Sequence, residues 1–410
     1  MKQLLLLFTL IITQHAWSKT IVVGRDQVIT SVRKAVEIAD AGDSILILKG
    51  TYREGNIIIN KSIKLIGVGE PVLDGEDKYE ILTVSGEEIV IKGIHFKNSG
   101  VSSMNDYASI NLVDARYCII ENNTIEKAYF GIHVANSRLC IVRDNIIKGT
   151  PKTEQTSGNG IHLWKCEEMV VSNNEVQGHR DGIYFEFVTQ SFITGNNSHN
   201  NIRYGLHFMF SNNDSYMNNI FRDNGAGVAV MYSHHVLMYS NTFIHNWGPN
   251  AYGILLKEIS DAQVIKNTFD ENTVGILMES TNRIEAGLNE FKNNGWALRI
   301  QASCSESGIH HNNFSANSFD VATNGSTMLN RFYNNYWDKY EGYDLNKDGF
   351  GDVAYHPVSM YSMVIEQNPN AMLLMRSFMV TLLDKAEKAI PSLTPENLTD
   401  EQPYMRRIKL

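Results

Sequence analysis

The chain has 410 residues, 43% of them hydrophobic and 20% charged, and its formal net charge is -9. This is the composition of a globular protein that can fill a continuous core. The negative balance, with no basic run to offset it, argues against nucleic acid as a partner, because phosphate contacts need clustered lysine and arginine.

The first 18 residues have the three parts of a secretory signal peptide. Lys2 precedes an apolar run from Leu4 to Ile12, and small and aromatic residues lead up to Ser18. The alternative is a retained membrane anchor, but the apolar run is too short to span a bilayer easily. We therefore predict export, with cleavage after Ser18.

Residues 31–39 carry apolar side chains three and four positions apart, which predicts a short amphipathic helix. Apolar runs at 44–48, 57–59 and 63–67 follow and are typical of short strands. A helix placed before stacked strands covers their open end, as solenoids require. We assign residues 19–89 to an N-terminal cap and the first coils.

From about residue 90 to 335 the sequence repeats. Glycines that precede Ile, Leu or Val are spaced 29, 22, 23, 22, 26 and 22 residues apart: Gly131, Gly160, Gly182, Gly205, Gly227, Gly253 and Gly275. Asparagines keep the same period: Asn123, Asn145, Asn174, Asn197, Asn219, Asn241, Asn267, Asn289 and Asn312. Two series of markers with one period indicate a solenoid.

Three short strands with turns fit into 22 residues, whereas two helices do not, so the predicted fold is all-β: a right-handed parallel β-helix. Equivalent residues of neighbouring coils then stack about 4.8 Å apart. Stacked asparagines are expected to hydrogen-bond along the axis and with turn backbone.

The four cysteines are too few for a disulfide scaffold in a chain of this length. Cys118 and Cys140 each lie five residues before a repeat asparagine and so occupy equivalent places in successive coils. We predict that they are small buried core residues, with a disulfide or a metal site as the alternatives. No CxxC spacing supports the metal site.

The repeat fades after residue 335. We assign 336–365 to an Asp/Gly-rich segment and 366–410 to an amphipathic helix, predicted at 371–390, followed by a tail. The helix either folds back on the last coil or docks on a partner, and Met375, Met379 and Leu382 are its candidate docking residues. The tail from Pro391 is expected to be loose or extended.

Strand alternation sorts the residues after each glycine into two faces. Positions one and three are almost all apolar, which predicts that they form the core. Positions two and four then face outward. Position two is occupied by His133, His162, Tyr184, His207, Ala229, Leu255 and Leu277. Position four is occupied by Ala135, Trp164, Glu186, Met209, Met231, Lys257 and Glu279.

Imidazole and thioether donors on this face suit copper, particularly Cu(I), better than hard cations. The candidate copper ligands are His162, His207, Met209, Met231, His234, His235 and Met238. The alternative is a docking face, with Trp164, Tyr184 and Glu186 as partner-binding residues, because methionine and aromatic side chains give adaptable contacts.

A third interpretation is a catalytic groove, since parallel β-helices often hold polysaccharide lyases, epimerases and hydrolases. Hydrolases need paired carboxylates, and Glu186 stands nearly alone. A lyase or epimerase that uses Tyr184 or His207 as its base stays open as the alternative function.

Asp344, Asn346 and Asp348 are oxygen donors at alternate positions before Gly349, as in the first half of an EF-hand loop. Asp352 lies at position nine of that loop, but the closing glutamate is absent. Calcium binding and a simple Asp/Gly-rich turn both remain open.

Several segments resemble the NosD family of periplasmic β-helical accessory proteins in nitrous oxide reductase maturation. They include Gly160-Ile-His-Leu-Trp, Asp181-Gly-Ile-Tyr-Phe-Glu, Arg203-Tyr-Gly-Leu-His-Phe-Met-Phe-Ser-Asn, Gly227-Val-Ala-Val-Met-Tyr-Ser and Asn335-Tyr-Trp-Asp. The segments at 203–212 and 227–233 are the most specific of these.

The resemblance implies a role without enzymatic activity, in the periplasm. Such proteins work with a membrane permease and an ABC-type ATPase, receive copper from a lipoprotein chaperone, and help to assemble the copper-sulfur centre of nitrous oxide reductase. It also implies that the C-terminal helix docks on the permease. Whether copper, sulfur or only the reductase is handled stays open.

Overall fold

The computed structural model describes residues 18–101, 107–150, 153–325, 329–374, 377–389 and 398–410. Within these residues, three parallel sheets run along the molecule, and consecutive strands of the chain lie in different sheets. Strands one coil apart pair in parallel, because the repeat returns each segment to the same side of the molecule. The predicted fold is confirmed: a right-handed parallel β-helix of about 13 coils.

The strands of the described chain divide among sheets A, B and C as follows. Sheet A contains Thr20–Val23, Ser44–Leu48, Lys64–Val68, Val90–Lys92, Ile119–Glu121, Ile141–Arg143, Val170–Ser172, Phe192–Thr194, Ser215–Met217, Leu237–Tyr239, Ser260–Ile265, Asn282–Gly287, Ser305–His310 and Leu329–Tyr333. Sheet B contains Thr51–Tyr52, Val72–Asp74, His95–Lys97, Thr124–Glu126, Ile146–Lys148, Glu175–Gln177, Asn197–His199, Ile220–Arg222, Thr242–Ile244, Thr268–Asp270, Glu290–Lys292, Asn313–Ser315 and Tyr336–Trp337. Sheet C contains Ile57–Ile59, Leu82–Val84, Ala108–Val113, Phe130–Ala135, Ile161–Trp164, Ile183–Glu186, Tyr204–Met209, Ala226–Met231, Ile254–Lys257, Val274–Glu279, Trp296–Ile300 and Phe319–Thr323.

The N-terminal end is covered by helix α1, Val32–Ile38. Ser31 caps it, because its side chain accepts a hydrogen bond from the backbone N–H of Lys34. Val32, Ala35 and Val36 are buried, so the apolar face of the helix closes the first coil.

The core lies inside the triangle of sheets, and positions one and three after each repeat glycine point into it, as predicted. Aromatic rings from sheet B stack along the axis with centroids 4.1 to 5.5 Å apart: Phe221, Phe243, Phe269, Phe291, Phe314 and Trp337. All four cysteines are buried and free, and the Cys118 N–H donates to Cys140 Sγ at 3.4 Å. The prediction of buried core thiols is therefore confirmed.

A buried asparagine ladder joins the coils between sheets A and B. In each rung the backbone N–H donates to the side-chain oxygen of the next coil's asparagine, as from Asn219 to Asn241 at 3.0 Å. The rung between Asn174 and Asn219 is Asn196. The expectation for Asn197 was wrong by one position, because Asn197 begins the strand of sheet B that follows the turn.

The C-terminal tail closes the last coil. Asp400 is fully buried and accepts hydrogen bonds from the backbone N–H groups of Asn334 and Asn335, at 3.0 and 2.9 Å, and from Trp337 Nε1 at 3.1 Å. It occupies the place of a further rung in the ladder. The expectation of a loose tail was therefore wrong for residues 398–410, whereas residues 390–397 lie outside the described part of the chain.

Two helices lie beside the end of sheet C. Helix α2, Met360–Gln367, packs Tyr361 and Ile365 into an apolar cluster with Trp296 and Phe319 on the outer face of the sheet. A 3-10 helix, Pro369–Leu374, leads to helix α3, Phe378–Ala389, which begins later than predicted. Among the described residues, no helix is both long and apolar enough to cross a bilayer.

Replacing Asp400 by Ala should destabilise the last coils. The change leaves buried N–H groups without an acceptor, which costs about 3 to 5 kcal/mol in total. Hydrogen exchange should show the loss confined to residues near 330–337, since solenoid coils contact only their neighbours. The exposed neighbour serves as control: Glu401→Ala should leave exchange unchanged, and equal protection in both variants would contradict the capping role.

A second buried carboxylate, Asp214, lies in the core at a turn before sheet A, where it accepts the Ser191 N–H at 2.8 Å. Burial raises its pKa to about 8. The folded protein therefore holds the proton up to about pH 8, whereas the unfolded chain loses it near pH 4. Stability is lost as the pH rises between these two values.

The substitution Asp214→Asn should consequently stabilise the protein at pH 7 by about 2 to 5 kcal/mol, with the gain vanishing near pH 4. Urea unfolding at the two pH values measures this. The partly exposed carboxylate of Asp144 is the control, and Asp144→Asn should change stability by less than about 0.5 kcal/mol. A gain for Asp214→Asn that is the same at pH 4 and pH 7 would contradict the assignment.

Candidate functional site

The outer face of sheet C carries the residues singled out by the sequence. Parallel pairing places His133 beside His162, then Tyr184, then His207, one coil apart. We call these four residues, three histidines and one tyrosine, the imidazole row. The row ends at Ala229, because the following coils carry small or aliphatic side chains at this position: Ala229, Leu255 and Leu277.

The rings of the imidazole row stack closely. The centroid of His162 lies 4.7 Å from that of Tyr184, and Tyr184 lies 4.7 Å from His207. The row is more buried than an outward face suggests, and His207 is only 5% exposed. Burial lowers the pKa of His162 to about 3, so this imidazole is neutral at pH 7. With the Tyr184 ring between them, His162 and His207 do not meet at one ion.

Met209 and Met231 form a thioether pair at position four. They are register partners on adjacent strands, and both side chains are partly exposed. The Tyr184 hydroxyl donates a hydrogen bond to Met209 Sδ at 3.6 Å. His207 lies two residues before Met209 on the same face. The pair and His207 are thus soft donors on the same face of two adjacent strands.

Beside His207 lies a buried polar cluster that the sequence analysis did not identify. The Asp181 carboxylate has no exposed area, and its oxygens lie 3.6 Å from Arg180 Nε, 3.5 Å from Arg203 Nε and 3.7 Å from His207 Nδ1. Among the described residues, neither oxygen has a hydrogen-bond partner. Arg203 also contacts Glu154 at 3.3 Å. Glu154 lies in the insertion that lengthens the spacing between Gly131 and Gly160 to 29 residues.

A sequence signal for this cluster exists. The residue before each repeat glycine also faces outward, and other coils carry mainly apolar or aromatic side chains there: Phe130, Tyr204, Ala226, Tyr252, Val274, Trp296 and Phe319. Asn159 and Asp181 are the polar exceptions, and they lie on adjacent coils.

The remaining copper candidates lie elsewhere. His234 and His235 are exposed in the turn after sheet C, with their Nδ1 atoms 2.8 Å apart. Met238 is fully buried in the core. Its placement among the outward donors was wrong, because the turn into sheet A reverses which side chains face inward.

The Asp344 loop uses its acidic side chains to form turns. The Asp344 carboxylate accepts the N–H groups of Asp348 and Gly349, at 3.2 and 2.9 Å, and Asp352 accepts that of Leu345 at 2.6 Å. In the described part of the chain, no three His, Cys, Asp or Glu side chains are grouped as metal ligands. These hydrogen bonds form the turn without a bound ion, and calcium binding stays a prediction.

The candidate docking residues fall into two regions. Trp164 and Glu186 are partly buried on sheet C, and Lys165 Nζ lies 4.3 Å above the Trp164 ring. Met379 and Leu382 are exposed on α3, 56% and 49% respectively. Met375 lies outside the described residues.

The sequence analysis also missed an aromatic stack at the turn after sheet C. Phe187, Phe210 and Tyr232 occupy equivalent places on three coils, with ring centroids 5.2 and 5.0 Å apart. Each has a φ between 52° and 55°, where bulky residues are uncommon. Phe187 and Phe210 are exposed, so this stack extends the thioether pair into a larger apolar surface.

The electrostatics of the face do not favour a catalytic base. Burial, with a smaller contribution from Glu186, raises the pKa of Tyr184 to about 12, whereas a base working near neutral pH needs a lowered value. Glu279, the other acidic residue at position four, pairs with Lys257 at 3.6 Å.

Comparisons with known proteins agree on one family. A family model described as NosD, periplasmic copper-binding protein, matches residues 144–348. A probable ABC transporter binding protein NosD from Pseudomonas aeruginosa is 28% identical over 417 residues, covering 90% of this chain and 89% of the relative. One of the same description from Stutzerimonas stutzeri is 27% identical over 380 residues, covering 87% and 85%.

Solved structures share the fold at low identity. The catalytic unit of an α-1,3-glucanase from Streptomyces thermodiastaticus has a TM-score of 0.61 at 13% identity, covering 75% of this chain and 65% of its own. The surface adhesin PfbA of Streptococcus pneumoniae has a TM-score of 0.56 at 13% identity, covering 73% and 84%. An enzyme and an adhesin on one architecture show that the fold does not fix the activity.

Proposed function

This chain belongs to the NosD family, and on that premise we propose that it is a periplasmic accessory protein that accepts copper on the outer face of sheet C. It works with an ABC-type transporter and passes copper, or copper with sulfur, to assembly of the copper-sulfur centre of nitrous oxide reductase. The signal peptide predicted at residues 1–18 accounts for its export.

One observation carries the proposal: Met209 and Met231 are register partners beside His207. Thioethers and imidazole are donors that favour Cu(I) over hard cations. The pair is partly exposed, which suits a cargo that has to enter and leave, whereas a structural metal site is enclosed. Copper is here the cargo, received from a lipoprotein chaperone and released to the next partner.

The surroundings of the thioether pair favour a partner protein as the source of the ion. The exposed ring of Phe210 follows Met209, and the exposed ring of Phe187 stacks on it from the preceding coil, where it follows Glu186. Aromatic and methionine side chains are enriched in protein interfaces. We propose that the copper chaperone docks over Trp164, Glu186 and this aromatic stack.

Helix α3 is the proposed docking element for the membrane permease and its ATPase. Its partner α2 is fixed to sheet C by apolar contacts and by the Arg299–Glu366 ion pair at 2.9 Å. Phe378 is 81% exposed on α3, next to Met379 and one turn before Leu382. An exposed apolar helix face on a rigid base fits a hydrophobic groove of a partner.

The combined substitution His207→Ala, Met209→Leu and Met231→Leu should abolish high-affinity Cu(I) binding. We expect a loss of at least about 100-fold, because all three soft donors are removed while leucine keeps the volume. Anaerobic competition with a chromophoric Cu(I) chelator measures the affinity, and the copper content of the reductase from cells carrying the variant measures delivery.

Met217→Leu is the matched control, since Met217 is a partly exposed methionine on sheet A. Met217→Leu should leave both the Cu(I) affinity and the copper content of the reductase unchanged. Wild-type affinity together with normal reductase copper in the triple variant would sink the role given to these residues.

The double substitution Phe378→Ser and Leu382→Ser should weaken co-purification with the permease and ATPase by about tenfold or more, because exposed apolar anchors carry most of the binding energy at such contacts. Thermal unfolding should be unchanged, since both side chains are exposed. Phe192→Ser, at a 49% exposed phenylalanine on sheet A, is the control. Undiminished co-purification of the double variant would contradict docking through α3.

A further inference from the structure

The buried carboxylate of Asp181 makes no hydrogen bond to the described residues. The backbone carbonyl of this residue pairs the coils, because it accepts the Gly160 N–H at 3.0 Å. The equivalent place in other coils is filled by Tyr204 or Ala226, so the fold does not require an acid there. An ionised carboxylate without exposed area is costly unless nearby groups compensate it.

Arg180 and Arg203 balance the charge, with their Nε atoms 3.6 and 3.5 Å from the Asp181 oxygens. The third neighbour is His207, whose Nδ1 lies 3.7 Å from Oδ2. None of these three contacts is a hydrogen bond, so Asp181 acts on the imidazole through its charge. The imidazole ring is held between Tyr184, stacked at 4.7 Å, and Tyr204, at 4.9 Å. Ring rotation is therefore restricted, and Nδ1 stays on the side of the carboxylate.

A carboxylate beside Nδ1 favours the tautomer that carries its proton there, which leaves the lone pair on Nε2. Metal-binding histidines commonly have this arrangement, with a carboxylate that orients the ring from behind. His207 Nε2 makes no hydrogen bond to the described residues, so no protein group competes for that lone pair. The adjacent Tyr184 acts in parallel, since its hydroxyl holds Met209 Sδ.

We infer that Asp181 is a positioning residue that fixes the Nδ1–H tautomer of His207 and so presents Nε2 to a soft metal ion beside Met209 and Met231. This inference rests on the proposed function for the identity of the ion. Its structural part, the tautomer, stands on the geometry of the metal-free protein.

The test compares the full chain with Asp181→Asn, a substitution that keeps the side-chain volume and introduces the residue type found at the equivalent position, Asn159, one coil away. Thermal unfolding checks that the variant is folded. Histidine-selective ¹⁵N labelling reads the His207 tautomer without metal. The wild type should carry the proton on Nδ1, and Asp181→Asn should shift the population toward Nε2–H. Cu(I) affinity, from chelator competition, should fall 10- to 100-fold.

Asp214→Asn is the control, since it makes the same substitution at another buried aspartate, one that hydrogen-bonds in the core away from sheet C. It should leave both the tautomer and the affinity unchanged. An Nε2–H tautomer in the wild type, or an unchanged tautomer and affinity in Asp181→Asn, would overturn the inference. If the Cu(I) affinity does not depend on Met209 and Met231, the proposed function fails. The tautomer of His207 in the metal-free protein still tests the role of Asp181 in that case.

Discussion

Axial stacking of identical coils determines everything else in this molecule. Backbone hydrogen bonds between strands one coil apart hold the spacing, and the asparagine ladder holds the register with side-chain bonds such as Asn219 to Asn241. A one-residue slip would move core residues to the surface, so the register is strongly specified. Residues that recur with the period of the repeat therefore lie side by side on neighbouring coils. Where such residues can bind a metal, they form a candidate binding site.

The outer face of sheet C uses this property in two ways. Toward the C-terminal end, aromatic, aliphatic and small side chains form a second apolar cluster with α2, which anchors the terminal helices. Toward the N-terminal end, the imidazole row, the thioether pair and Asp181 replace that apolar surface with donors of soft and ionic character. The donor surface gives way to the apolar surface at the strand of Ala229 and Met231. On this strand Ala229 ends the imidazole row, whereas Met231 is still a donor.

Much of this follows from the sequence because a solenoid converts periodicity directly into position. The glycine spacing predicted the coil and the two faces of sheet C, and His162, Tyr184 and His207 stack as the alternation requires. The alternation rule fails where a turn intervenes. Met238 was misplaced for this reason, since the turn into sheet A changes which residue points inward. Asn197 was misplaced because Asn196 precedes it directly and the spacing of the series fits either residue.

Other features depend on contacts that a periodic pattern does not contain. Asp400 enters the ladder from a segment 65 residues beyond Asn335, so its burial is a long-range effect. Asp181 contacts arginines on two coils, and one of them, Arg203, also reaches Glu154 in the insertion, so no single coil reveals this cluster. The tautomer of His207 is a consequence of that cluster.

Copper transfer through sheet C requires that two thioethers and one imidazole bind the same ion. X-ray absorption spectroscopy of the full chain, loaded anaerobically with one equivalent of Cu(I), identifies the atoms bound to copper. We expect two sulfur scatterers and one nitrogen, and loss of the sulfur contribution in the variant that lacks Met209 and Met231. A shell of nitrogen and oxygen alone, unchanged in that variant, would contradict it.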